Sequence, residues 1–266
     1  MTKFSLAFLP GVAATLLATP LFAQASSDAA ELQKQLSNPV ASLISVPFQF
    51  NFDDNIGPKG KGERWTMNIQ PVIPFDLGGG WNLISRTIVP VVSQYNLPSQ
   101  GQDDWGLGDT TQSFFFSPAA SAGGLIWGVG PAFLFPTATE DTLGLDTFAA
   151  GVTGVVLKQN GPWTLGVLAN HLWDWDGPVE IDSTFTQPFL AYAYDNGWTA
   201  TLQAEWTHDW VNDTDSAPIG LLASKLGSIG GQPVSWQGGV RYYADSAPNG
   251  PEGWGARFGV TLLFPK

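Results

Sequence analysis

Two histidines, His171 and His208, and no cysteine limit the chemistry this chain can do. Without cysteine there is no disulfide, iron–sulfur cluster, thiolate zinc site or thiol nucleophile. A histidine-dependent hydrolase or acyltransferase needs a nucleophile or base held by its neighbours. His171 falls in phase with Trp163, Leu165 and Trp173, which points it outward near a strand end, and His208 precedes Asp209 at another. No Gly-x-Ser-x-Gly, His-Glu-x-x-His or Walker-type sequence occurs. Gly128-Val129-Gly130 has no helix behind it, and the metal-like alternation of Asp174-Trp175-Asp176 is more simply a solvated loop. The expectation is no catalytic residue, no metal and no cofactor.

The charges that fall in phase with small or polar neighbours are more informative. They are Arg64, Arg86, Asp109, Glu205, Arg241 and Arg257. If the first and last strands of the chain meet, the four arginines form one basic arc, with Asp109 and Glu205 beside it. Charges inside a protein wall must be paired or hydrated. The arc is then either a constriction that selects by charge or a salt-bridge network that braces a narrow lumen. In a poorly hydrated passage, unpaired guanidinium groups favour anions.

The elements that must carry these residues have a period of two. In 198–207, Trp198, Ala200, Leu202, Ala204 and Trp206 alternate with Thr199, Thr201, Gln203, Glu205 and Thr207; in 254–264, Trp254, Ala256, Phe258, Val260, Leu262 and Phe264 alternate with Gly255, Arg257, Gly259, Thr261 and Leu263. Successive strand side chains face opposite sides, so one face is apolar and the other polar or small. The pattern predicts twelve strands near 43–52, 63–75, 81–93, 106–117, 124–136, 147–158, 162–174, 183–194, 197–208, 217–226, 233–244 and 253–264. Their connections alternate between short Gly- or Asn-rich turns and generally longer ones (53–62, 94–105, 137–146, 175–182, 209–216 and 245–252) that hold or border most of the 23 acids. Short periplasmic turns, longer external loops and ten-residue alternating segments mark transmembrane barrels.

Composition agrees. Charged residues are 13% of the chain, half the usual share, while hydrophobic residues are 44%, with 12 Trp. Trp81, Trp127, Trp163, Trp198 and Trp236 each stand at or near the start of a strand after a short turn. Trp65, Trp173, Trp206 and Trp254 fall at the opposite strand ends. Amphipathic rings collect at membrane boundaries, so these two sets predict two aromatic girdles. A formal charge of -12 argues against nucleic acid, which needs a basic surface. The expected fold is all-β: a transmembrane antiparallel β-barrel of about twelve strands with a short N-terminal helix or tail.

The N-terminus reads as an address. Lys3, an apolar stretch from Phe4 to Thr19 and the small-residue run Ala23-Gln24-Ala25 make a secretory signal peptide over 1–25, with cleavage after Ala25 or Ala23. Residues 26–42 are an N-terminal periplasmic or lumen segment, with helix formers behind an Asp28/Glu31 pair and a stop at Asn38-Pro39. The barrel occupies 43–266.

Several segments look familiar: Leu43-Ile44-Ser45-Val46-Pro47-Phe48-Gln49, Asn68-Ile69-Gln70-Pro71-Val72-Ile73-Pro74-Phe75, Trp81-Asn82-Leu83-Ile84-Ser85-Arg86-Thr87, Gly106-Leu107-Gly108-Asp109, Gly124-Leu125-Ile126-Trp127-Gly128-Val129-Gly130-Pro131 and Trp254-Gly255-Ala256-Arg257-Phe258. Over nearly all of the chain after 1–25, the sequence resembles a proteobacterial outer-membrane β-barrel transporter family. That family is similar to the meta-pathway phenol-degradation outer-membrane proteins and sometimes carries the misleading name neuromedin U. The resemblance implies a barrel in the cell outer membrane and a generic transport role, and brings no catalytic residues or substrate. Barrels of this kind commonly end in an aromatic residue read by the barrel assembly machinery; here Phe264 is followed by Pro265-Lys266. The expected function is an outer-membrane channel for passive passage of small solutes, small anionic or aromatic compounds among them. The alternative is a structural or surface-binding barrel with a closed lumen. The expected partners are outer-membrane lipid and lipopolysaccharide, the assembly machinery and a small-molecule solute.

Overall fold

A computed structural model describes residues 31–120 and 123–265; the expected signal peptide, 1–25, lies outside them. The strands are β1 (Ile44–Ile56), β2 (Gly62–Ile69), β3 (Val72–Gly78), β4 (Trp81–Tyr95), β5 (Asp103–Leu107), β6 (Thr110–Pro118), β7 (Leu125–Phe135), β8 (Phe148–Asn160), β9 (Trp163–Asp176), β10 (Asp182–Ala193), β11 (Trp198–Ala204), β12 (Trp206–Asp209), β13 (Thr214–Ser216), β14 (Pro218–Ile229), β15 (Gln232–Tyr243) and β16 (Gly253–Phe264). Four passes are split, at Gln70-Pro71, Gly108-Asp109, Glu205 and Ala217. Pro71 has no N–H for the ladder, yet β1 keeps one register across that break. Joined across the breaks, the segments form a closed antiparallel barrel of 12 strands. The first and last strands meet from Ile44 opposite Phe264 to Phe52 opposite Ala256, and β11 pairs with both β10 and β14.

The alternation in the sequence becomes two surfaces. Along β11, Trp198 and Leu202 are exposed while Thr199 is buried; along β16, Trp254, Phe258 and Phe264 are exposed while Gly255, Arg257 and Gly259 are buried. A continuous outer band that leaves Leu165, Leu202 and Leu221 at 60%, 49% and 60% exposure is untenable in water and suits lipid. Among the described residues no helix is long and apolar enough to cross a membrane. The strands do the crossing, since a closed antiparallel sheet pairs its backbone groups between neighbouring strands.

The girdle residues face outward. Trp65, Trp81, Trp127, Trp163, Trp173, Trp198, Trp206 and Trp254 are all exposed, and Trp81 meets Trp127 edge-on at 5.9 Å. Trp236 differs, being half-buried. Its ring lies over Gly227, where an added Cβ would come within 2.6 Å of it.

The inside of the barrel is lopsided. Ile84, Phe115, Val155, Leu157 and Leu168 form a buried apolar cluster on one half of the wall, and Val40 of the N-terminal segment joins it. A Cβ at Gly128 would sit 3.2 Å from Val40, so the glycine leaves that side chain its room. The segment is helical over 31–36. Leu32 and Leu36 pack with Ala41, Leu43, Leu226 and Leu263. Gln159 Nε2 donates to the Lys34 carbonyl at 2.8 Å, and Asn82 Nδ2 to Ser42 Oγ at 3.0 Å. Residues 31–43 therefore fill the lumen at the end bearing the short turns.

Candidate functional site

The other half of the inner wall carries the charges, and the strand period puts them there. Glu205 stands at the break between β11 and β12, where its carboxylate is free to cross the lumen. It receives Arg257 of β16 at both oxygens, Nη1 to Oε1 at 2.7 Å and Nη2 to Oε2 at 2.8 Å. Arg257 Nε donates to Asn51 Oδ1 at 2.7 Å. Gln203 Nε2 donates to Glu205 Oε1 at 2.8 Å. Bidentate pairing of this kind fixes geometry as well as charge.

A second network lies beside the first. Arg241 Nη1 is 3.5 Å from Asp53 Oδ1. Arg241 Nη2 donates to the Tyr243 hydroxyl at 2.7 Å, and that hydroxyl donates to Asp53 Oδ1 at 2.9 Å. Arg64 Nη2 donates to Gln94 Oε1 and Arg86 Nη2 to Gln70 Oε1, each at 3.0 Å. The four arginines lie on β15, β16, β2 and β4, which together with β1 form one contiguous stretch of the wall.

Asp109 does not join them. It accepts from the backbone N–H groups of Ala138 and Leu145 at 3.1 and 2.6 Å, so it pins the long connection 136–147 between β7 and β8. The split between β5 and β6 falls at Gly108-Asp109, and parity carries no information across a break in the ladder. Asp53, which the sequence reading leaves in an external connection, takes its place inside. It is 7% exposed, because β1 continues to Ile56. Asn51, Gln70, Gln94 and Tyr243 are also part of the site and were not anticipated. Carrying the Phe50/Phe52 alternation through Asn51 and Asp53 is the signal that finds two of them.

Two cavities share the lumen. One, of about 270 Å³, lies between the N-terminal segment and the wall. The other, of about 440 Å³, lies toward the long connections and is lined by Asp53, Arg86, Glu205, Arg241 and Arg257 together with Ile88, Leu168, Leu172 and Phe185. Gln49, Gln70, Arg86, Leu168 and Gln187 border both, forming a waist.

The histidines lie on the outer surface near the long connections. His171 Nδ1 is 2.7 Å from Thr184 Oγ1, and its Nε2 is 3.0 Å from Asp182 Oδ1. A hydroxyl, an imidazole and a carboxylate in line are the parts of a nucleophilic relay. Here, though, Thr184 also accepts from Trp210 Nε1 at 2.8 Å, and the Trp173 ring packs on His171 at 4.1 Å. The arrangement ties the hairpin β12–β13 to the wall. His208 and Trp206 Nε1 add to it, at 2.9 and 2.6 Å from Asp215 Oδ1. Among the described residues no group of three His, Asp or Glu is placed to hold a metal ion.

No protein-family model matches the chain, and no curated protein matches it. Among solved structures it is similar to the COG4313 outer membrane channel from Pseudomonas putida F1, with 15% identity over 84% of this chain and 94% of that one and a TM-score of 0.64. It is more distantly similar to the outer membrane phospholipase A from Escherichia coli (13% identity, 85% and 90% covered, TM-score 0.46). A third likeness is to the CymD monoaromatic hydrocarbon channel (8% identity, 87% and 91% covered, TM-score 0.45). The first likeness shows the fold. With its lipid-compatible outer band, this protein is a β-barrel of the outer membrane.

Proposed function

We propose that the barrel serves the passive passage of small solutes across the outer membrane, with preference for small anionic or aromatic compounds. One observation carries this reading: two abutting cavities run along the lumen, and the larger of them is lined by both charged and apolar side chains. A passage with both kinds of wall suits a solute that has both a polar head and an apolar body. A protein described as an outer membrane channel shares the fold, and the family resemblance of the sequence points the same way.

A second reading is a closed barrel that acts through its external loops. It is favoured by residues 31–43 filling the short-turn end of the lumen. Single-channel recording of the purified full-length protein in a planar bilayer, with liposome swelling for uncharged and anionic solutes, separates the two. The expected result is small conductance with solute-dependent swelling. No conductance and no swelling in folded protein favours the closed barrel.

A further inference from the structure

Resting on the passage reading, we propose that the waist of the lumen is a carboxylate-binding site. Arg86 receives the carboxylate of a small organic acid, and the acid's apolar body lies along Ile88, Leu172 and Phe185.

The argument begins with the charges of the wall. Arg257 is committed to Glu205 through Nη1 and Nη2 and to Asn51 through Nε. Arg241 is committed to Asp53 and Tyr243. Four arginines face two carboxylates, so Arg64 and Arg86 have no carboxylate in contact among the described residues. These two are not equivalent. Arg64 borders neither cavity, and its partner Gln94 is fully buried in the wall. Arg86 borders both cavities and is the one charged residue of the waist. A guanidinium has five N–H donors, and among the described residues Arg86 has one engaged, by Gln70 Oε1.

The geometry selects the ligand class. A planar guanidinium with free donors matches a carboxylate edge-on and bidentate. The neighbouring waist residues Gln49, Gln70 and Gln187 are neutral and offer amides to the same head group. Glu205 and Asp53, the two carboxylates lining the larger cavity, are paired with Arg257 and Arg241 and so oppose an anion little. Ile88, Leu172 and Phe185 supply an apolar wall beyond the waist in the larger cavity. Its volume of about 440 Å³ lies within the ~300–1,000 Å³ common for small-molecule sites. A compound that is all charge leaves that wall unused, and one that is all hydrocarbon leaves Arg86 without an acceptor.

The test compares benzoate with its neutral isostere benzamide on the purified full-length barrel. Binding is followed by calorimetry in detergent and passage by liposome swelling. Wild-type protein should bind benzoate about tenfold or more tightly than benzamide, the worth of one charge-assisted hydrogen bond. Arg86→Gln should remove that preference. Gln49→Glu, nearly isosteric, should also remove it by placing a carboxylate in the same waist, and it decides the matter if Arg86→Gln does not fold. Arg64→Gln deletes the same charge away from both cavities and should change the preference less than twofold. Equal affinity of wild type for the two probes, or a preference that survives in Arg86→Gln, overturns the site. Equal losses in the Arg86 and Arg64 variants would assign the effect to net wall charge instead. Benzoate binding without swelling sinks the passage reading and keeps the site; swelling without benzoate preference does the reverse.

Discussion

Glu205→Gln strikes the shorter of the two Arg–carboxylate ion pairs of the lumen among the described residues. The Arg257 side chain is 4% exposed and that of Glu205 18%, and their two contacts are 2.7 and 2.8 Å long. Removing one partner of a buried pair costs about 3–5 kcal/mol. Two features reduce that here. Glutamine keeps one acceptor oxygen for the guanidinium, and Arg257 Nε keeps Asn51. Glu205 also borders a cavity, so the freed charge is not fully stranded. The expected loss is about 2–3 kcal/mol, one charge-assisted hydrogen bond and part of a desolvation penalty. Urea titration of the barrel in phospholipid vesicles, followed by tryptophan fluorescence and heat-modifiable gel mobility, reads it directly. Arg257→Met alone should cost a similar amount, since it strands Glu205 against Gln203 and Gln187. The double variant should fall short of the sum by about 1.5 kcal/mol or more, because residues in one network couple. A Glu205→Gln protein within about 0.5 kcal/mol of wild type, the range of an unremarkable surface change, would refute the reasoning. So would strict additivity in the double variant, which would mean that lumen water screens the pair.

The two faces of β11 should differ in tolerance. Leu202→Arg on the lipid side is expected to cost about 2–4 kcal/mol near the bilayer midplane, while Thr201→Arg, which lines the lumen, should cost far less by the same vesicle assay. Acid should loosen the hairpin β12–β13. The bonds from Trp206 and His208 hold the Asp215 carboxyl below its ordinary value. Their contribution is present above the unfolded carboxylate value of ~3.9 and is lost as pH falls through the lower folded one. Protease cleavage in 209–216 should rise below that point in wild type, and Asp215→Asn should show no such acid-induced rise.

Much of this was legible in the chain. The twelve strands follow from the period-two alternation because lipid on one side and a lumen on the other punish any slip of parity. The girdles follow from where tryptophan falls along each strand. The charged wall was readable as residue types but not as partners. Asp53 lies four residues beyond Gln49, and only the length of β1 decides whether it is loop or wall. Asp109 sits at a break, where local hydrogen bonding to Ala138 and Leu145 outweighs phase. The position of residues 31–43 depends on contacts with Gln159, Leu226 and Leu263, far away in sequence, and no local pattern encodes it.

The N-terminal segment is joined to β1 directly, with Leu43 buried and Ile44 already paired to Phe264. Displacement and return of 31–43 are therefore intramolecular. A short tether holds such a segment at an effective concentration on the order of millimolar, so a free peptide of the same sequence competes with it only at comparable concentrations. A solute faces the same arithmetic. On the proposed passage reading, a solute that clears the short-turn end must take the place of a few apolar contacts and two side-chain hydrogen bonds, while the displaced chain remains at the doorway.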